Sequence, residues 1–211
     1  MVILSFCGKI GSGKTASTNL AYKEIQRSYI EKNLIGIMHL PSLESCMENN
    51  ISISPLVRIE KKSFADPIRK GLNAMFNLDY HALTVDKDRS LKDYFFKGIT
   101  TNRELMVKYA ETLRENLGED IFAQIMNKHI LRSEFNKQTE LFLIDDLRKD
   151  VEFDMLASHN NSYTVWLEKE GNENEYDGEI MDVECDYEVN WRTPQELESA
   201  IHGILKDLEL I

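Results

Sequence analysis

One stretch near the start, Gly8-Lys9-Ile10-Gly11-Ser12-Gly13-Lys14-Thr15, has the residue types and spacing to hold a chain of phosphates. It satisfies G-x-x-x-x-G-K-[ST] in full. Gly8, Gly11 and Gly13 let the backbone turn tightly and, with Ser12, aim successive N–H groups at phosphate oxygens. Lys14 can reach the β- and γ-phosphates of a triphosphate, and the Thr15 hydroxyl can ligand Mg2+. A carboxylate usually completes such a site. Asp145 and Asp146 follow the apolar run Leu141-Phe142-Leu143-Ile144, at the carboxyl end of an expected strand. Open α/β sheets bind ligands at that edge, and Asp145 is the expected metal-side acid.

Such a loop needs a strand before it and a helix after it. Val2 to Cys7 is a continuous apolar run bounded by glycine, the pattern of a buried parallel strand. A helix is expected from Thr15 to about Asn33, with Leu20, Ile25 and Tyr29 facing inward, and its N-terminus adds partial positive charge at the loop. Ile35 to Leu40 reads as a second short strand, 41–57 as a loop or insertion, and Arg58 to Phe64 as extended. A helix from Pro67 with Asp66 as its cap follows, then a polar, irregular stretch over 79–102. Helices are expected from Asn102 to about Asn116 and from Asp120 to about Arg132, the latter with Ile121, Ile125, Met126 and Ile130 on one side. Strands are expected at Leu141 to Ile144, Tyr163 to Leu167 and Tyr187 to Trp191, with 168–188 otherwise a loop. Thr193-Pro194-Gln195-Glu196 is a capping box. The helix behind it places Leu197, Ala200, Ile201, Ile204, Leu205 and Leu208 on one face. Alternating strands and helices imply an α/β fold, a mostly parallel sheet with helices on both faces.

A chain of 211 residues suits one such domain, expected over 1–211. No apolar run approaches a membrane span, and the apolar start lacks the basic flank of a signal peptide, so a cytoplasmic protein is expected. The three cysteines, Cys7, Cys46 and Cys185, are far apart and odd in number, which argues against a disulfide framework or a cysteine zinc site. The net charge of −11 disfavours nucleic acid as a partner. Yet residues 58–114 carry 12 Lys/Arg against 8 Asp/Glu, so the middle of the chain suits a phosphate-bearing substrate. The acidic excess lies elsewhere, notably in 168–188 with ten acids and one lysine. A GTPase would need N-K-x-D, and Asn127-Lys128-His129-Ile130 lacks the aspartate.

Several stretches occur in a telling order: Gly8 to Thr15, Phe64-Ala65-Asp66-Pro67-Ile68-Arg69-Lys70, Asp88-Arg89 with Lys92-Asp93, Arg103-Glu104-Leu105-Met106, Gly118-Glu119-Asp120-Ile121-Phe122, and Asp146-Leu147-Arg148-Lys149-Asp150-Val151-Glu152. Over nearly the whole chain this order resembles the bacteriophage deoxynucleoside monophosphate kinases. Each motif except the phosphate loop is weak alone. The resemblance implies a P-loop kinase sandwich with a helical substrate-binding or lid segment at about 66–118. It implies transfer of the γ-phosphoryl of ATP, with Mg2+, to a deoxynucleoside 5′-monophosphate in the host cytoplasm. Kinases of this kind are often homodimers. Carried over position by position, Asp66 would face the acceptor and Arg69 would reach its phosphate. Arg89, Lys92 and Arg103 would clamp phosphates. Arg148, beside Asp146, would approach the transferred group, with Glu152 orienting it from four residues on. Arg114 stands about one position from the family's substrate arginine.

Phosphoryl transfer asks for in-line positioning and neutralised charge more than for covalent work, and arginine's planar fork suits phosphate oxygens. Lys14, Arg89 and Arg148 are therefore the expected catalytic cations. Two other readings stand open. One is a related kinase acting on a hydroxymethylated base in DNA, and the other is a regulatory protein that binds nucleotide without turnover.

Overall fold

Val2–Gly8 forms β1, and after Val2 every residue of it is buried. A strand buried on both faces must sit inside a sheet, and β1 pairs in parallel on both edges. On one side is β3 (Leu141–Ile144), with Leu4 opposite Leu143. On the other is β4 (Ser162–Lys169), with Leu4 opposite Tyr163. β2 (Ile59–Lys62) extends the sheet beyond β3, and β5 (Tyr187–Trp191) extends it beyond β4. The order is β2-β3-β1-β4-β5 and all pairings are parallel. This computed structural model describes residues 1–34, 58–91, 98–136, 139–173 and 184–211. The expected strand at Ile35 to Leu40 and the loop at 41–57 lie outside them.

Parallel strands need crossovers, and the helices supply them. α1 (Lys14–Leu34) and α7 (Pro194–Asp207) cover one face. Ala21 and Ile25 of α1 and Leu197, Ile201, Ile204 and Leu205 of α7 join Leu4, Phe6, Leu143, Val165, Leu167 and Val189 in one core. The alternate side chains Ile3, Ser5, Cys7, Phe142, Ile144 and Thr164 are buried as well, so the opposite face is also covered. The molecule is thus an α/β protein whose five-stranded parallel sheet is flanked by helices.

The described residues divide into two compact units, one of Met1–Lys62 with Ile130–Ile211 and one of Ser63–His129. The second contains α2 (Asp66–Phe76), α3 (Tyr80–Val85), α4 (Asn102–Leu117) and the first part of α5 (Ile121–Phe135). α6 (Asp150–Ala157) returns to the sheet unit.

Four local expectations change. Asp66 lies inside the first turn of α2 and the cap position is Ala65, because the Asp66 carboxylate accepts from Ser63 N, Arg69 and Tyr80 rather than from the helix start. The irregular stretch contains α3, capped by the Asp79 carboxylate on His81 N. On α5, Phe122, Met126 and Ile130 face inward at i, i+4, i+8, while Ile125 is exposed. β4 continues to Lys169, so Glu168 and Lys169 are strand rather than loop, and 174–183 lie outside the described residues.

Candidate functional site

The loop between β1 and α1 is shaped by two glycines that nothing larger could replace. Gly8 has φ +129°, and a Cβ there would stand 2.2 Å from the Leu167 carbonyl of β4. Gly13 has φ +97°, and its Cβ would stand 2.9 Å from the indole of Trp191. Both conformations are ones that L side chains rarely adopt.

The loop's carbonyls are turned to protein donors. Lys14 Nζ donates to Gly8 O at 2.6 Å and to Lys9 O at 2.8 Å. Asn172 Nδ2 donates to Ile10 O at 2.8 Å. Trp191 Nε1 donates to Ser12 O at 2.9 Å. Lys9 also faces Glu168 at 3.6 Å. With the acceptors occupied in this way, the donors are what a loop of this kind offers to an anion. Neither Trp191 nor Asn172 was marked by sequence spacing; both act through the strand and turn that bring them back to the loop.

The hydroxyl and the carboxylate expected at the metal side meet. Thr15 Oγ1 donates to Asp145 Oδ2 at 2.9 Å. Residue 15 opens α1 and residue 145 follows β3, so the parallel pairing of β1 with β3 sets this distance. Two adjacent hard oxygens fit Mg2+, which in nucleotide sites takes one or two protein ligands together with phosphates and waters. Among the described residues no three His, Cys, Asp or Glu side chains gather into a metal cage.

Asp146 and Arg148 follow in the segment between β3 and α6, both half-buried. Glu152, 3% exposed, accepts from the backbone N–H of Arg148 at 3.1 Å and of Lys149 at 3.2 Å. It caps the start of α6 and thereby fixes the turn that carries Arg148. A cleft of about 490 Å³ in the same unit is lined by Lys169, Glu170, Asn172, Asn190, Trp191 and Arg192, among others. Lys169 Nζ lies 5.1 Å from the Trp191 ring centroid, and Glu170 pairs with Arg192.

The remaining candidates belong to the other unit. Arg69 is 7% exposed, and its Nη1 donates to Asp66 Oδ1 at 2.9 Å and to Ser63 Oγ at 3.1 Å. The Tyr80 hydroxyl donates to the same Asp66 oxygen at 2.9 Å. Burial, and then the Asp66 charge, push the Tyr80 phenol above its ordinary pKa. Arg103 grips Asp88 with two donors, at 2.8 and 3.3 Å. Its hydrogen bonds hold the Asp88 carboxyl below the usual range. Arg89 is exposed, and its backbone is tied to Asp86 and Asn102. The Arg114 guanidinium lies 5.0 Å from the Phe122 ring centroid. Lys92 lies outside the described residues. Within this unit Asp66 and Arg69 are brought together, and Arg103 meets Asp88 next to Arg89.

No protein-family model matches the chain, and a search of curated proteins finds no match. Among the described residues, no helix is long and apolar enough to cross a membrane.

Proposed function

We propose that this protein is an ATP-dependent phosphotransferase acting on a deoxynucleoside 5′-monophosphate. One observation carries the reading: a complete phosphate loop whose Thr15 hydroxyl is hydrogen-bonded to Asp145 at the carboxyl end of the neighbouring strand. A loop serving only as a turn would have no use for that pairing between α1 and the end of β3.

Lys14 would exchange its two loop carbonyls for phosphate oxygens and hold the β- and γ-phosphates against the loop N–H groups. Thr15 and Asp145 would hold Mg2+, which would neutralise phosphate charge when bound. Arg148, carried on a turn capped by Glu152, would approach the transferred group. The cleft beside Trp191 would shelter the donor nucleoside, since Asn172 and Trp191 of its lining hydrogen-bond to the loop. Asp66, Arg89, Lys92, Arg103 and Arg114 remain the proposed acceptor-side groups, and Arg69, buried on Asp66, is read first as a structural residue. Of these, Arg103 is the more readily redirected, because its ion pair is exposed and weakly held.

The test is a panel of the four common deoxynucleoside monophosphates and modified pyrimidine monophosphates, each with γ-labelled ATP and Mg2+. Labelled diphosphate is the expected product. Label appearing only in hydroxymethylated DNA would reassign the acceptor. Normal ATP binding with no transfer to any acceptor would overturn the catalytic reading.

A further inference from the structure

Two thiols outside the phosphate site lie against each other. Cys7 Sγ and Cys185 Sγ are 3.8 Å apart although 178 residues separate them in the chain. Both are free thiols. Each is held by the sheet. Cys7 is fully buried in β1, opposite Trp166 of β4, and its thiol points to Val165 O at 3.5 Å. Cys185 lies just before β5 and is half-buried. The next residue, Asp186, anchors the chain there by accepting from Thr164 N at 2.7 Å.

The two sulfurs are in contact. A disulfide needs the sulfurs at about 2.05 Å, so the pair must close by roughly 1.8 Å. Rotation about the half-buried Cys185 side chain can supply part of that movement. The two thiols are also unequal. The hydrogen bond to Cys7 lowers the Cys185 pKa, whereas that same contact, followed by burial, raises the Cys7 pKa. A half-buried thiol beside a fully buried partner is the arrangement of an attacking and a resolving cysteine.

We propose that Cys7 and Cys185 are a redox-reactive pair that closes to an intramolecular disulfide by exchange with a small disulfide of the glutathione type. The Cys185 thiolate attacks one sulfur of the small disulfide, forms a mixed disulfide and expels one small thiolate. That thiolate takes the Cys7 proton. Cys7 then attacks the Cys185 sulfur, breaks the mixed disulfide and expels the second small thiolate. The second small thiolate takes up the proton that Cys185 released to solvent on forming its thiolate, so the two cysteines lose two electrons and two protons and the small disulfide is reduced to two thiols. The new bond ties the residue directly before Gly8 to the segment entering β5.

The full chain is equilibrated with reduced and oxidised glutathione at a series of ratios, quenched with acid, alkylated in denaturant and mapped by mass spectrometry. The expected result is a linked Cys7–Cys185 peptide lacking two hydrogens, with Cys46 alkylated. Cys185→Ser should abolish the link. Cys7→Ser should leave Cys185 trapped as the glutathione mixed disulfide. Cys46→Ser should leave the link intact. No Cys7–Cys185 peptide at any ratio, or pairing through Cys46, overturns the proposal. None of these readouts involves nucleotide turnover, so the outcome is independent of the kinase assignment.

Discussion

In the phosphate loop the carbonyls of Gly8, Lys9, Ile10 and Ser12 are held by Lys14, Asn172 and Trp191, and the loop is braced from behind by β4 and β5. In the unit of residues 63–129 the cations are held by carboxylates of their own unit: Arg69 by Asp66, Arg103 by Asp88. The loop is preorganised before any ligand arrives. On the proposed function, Lys14 would exchange neutral carbonyls for phosphate oxygens, whereas Arg69 and Arg103 would exchange one anion for another. The exchange is cheap for the exposed Arg103 pair and costly for the buried Arg69 pair, which leads us to read Arg69 first as a structural residue that fixes the start of α2.

The largest effect expected from breaking this contrast is on catalysis. Lys14→Ala should lower phosphoryl transfer about a thousandfold while leaving Tm near the parent's, since the hydrogen bonds it removes, to Gly8 O and Lys9 O, lie within the loop. Transfer near the parent rate would remove Lys14 from the site. Gly8→Ala attacks the bracing itself. The added methyl meets the Leu167 carbonyl at a backbone angle alanine rarely adopts, and a loss of about 3 kcal/mol is expected in urea unfolding. A shift under about 1 kcal/mol would mean that β4 yields easily.

Arg69→Met tests the other side. It leaves Asp66 without its main cation, and about 2 kcal/mol should be lost by the same measurement. If Tm holds and only the KM for the acceptor rises, Arg69 is a ligand group after all. The smallest effect is expected at Asp88. Its pKa lies below the ordinary value, so any contribution of the pair is complete above the unfolded-state pKa and fades as pH falls through the lower folded-state one. Carboxyl NMR should show a late titration in the parent and an ordinary one in Arg103→Gln, with no measurable change in Tm. An unshifted Asp88 in the parent would dissolve the pair.

Much of the sheet unit was readable because its signals are local. The apolar runs at 2–7 and 141–144 admit one kind of strand, the loop motif is contiguous, and the Thr193 capping box forms with both of its hydrogen bonds. What escaped reading is held by long-range contacts. Trp191 and Asn172 reach the loop only because β4 and β5 run parallel beside it. Cys7 and Cys185 look unrelated until the sheet stacks their segments. α3 was missed because six residues bearing one buried leucine give too little periodicity to see. Asp66 was expected to cap the helix but accepts from Ser63 N, Arg69 and Tyr80 instead.

The position of β1 also bears on how the chain is made. β1 is synthesised before both of its neighbours, yet it ends between them, paired to Leu141–Ile144 and to Ser162–Lys169. During synthesis its seven residues, VILSFCG, leave the ribosome with two open edges and no sheet to join. They must wait until the greater part of the chain has followed. An apolar strand with unpaired edges is the kind of segment that templates misassembly. Slow translation through residues 58–140 lengthens that wait, so the yield of native protein is expected to respond to translation speed more than that of a sheet assembled from adjacent hairpins.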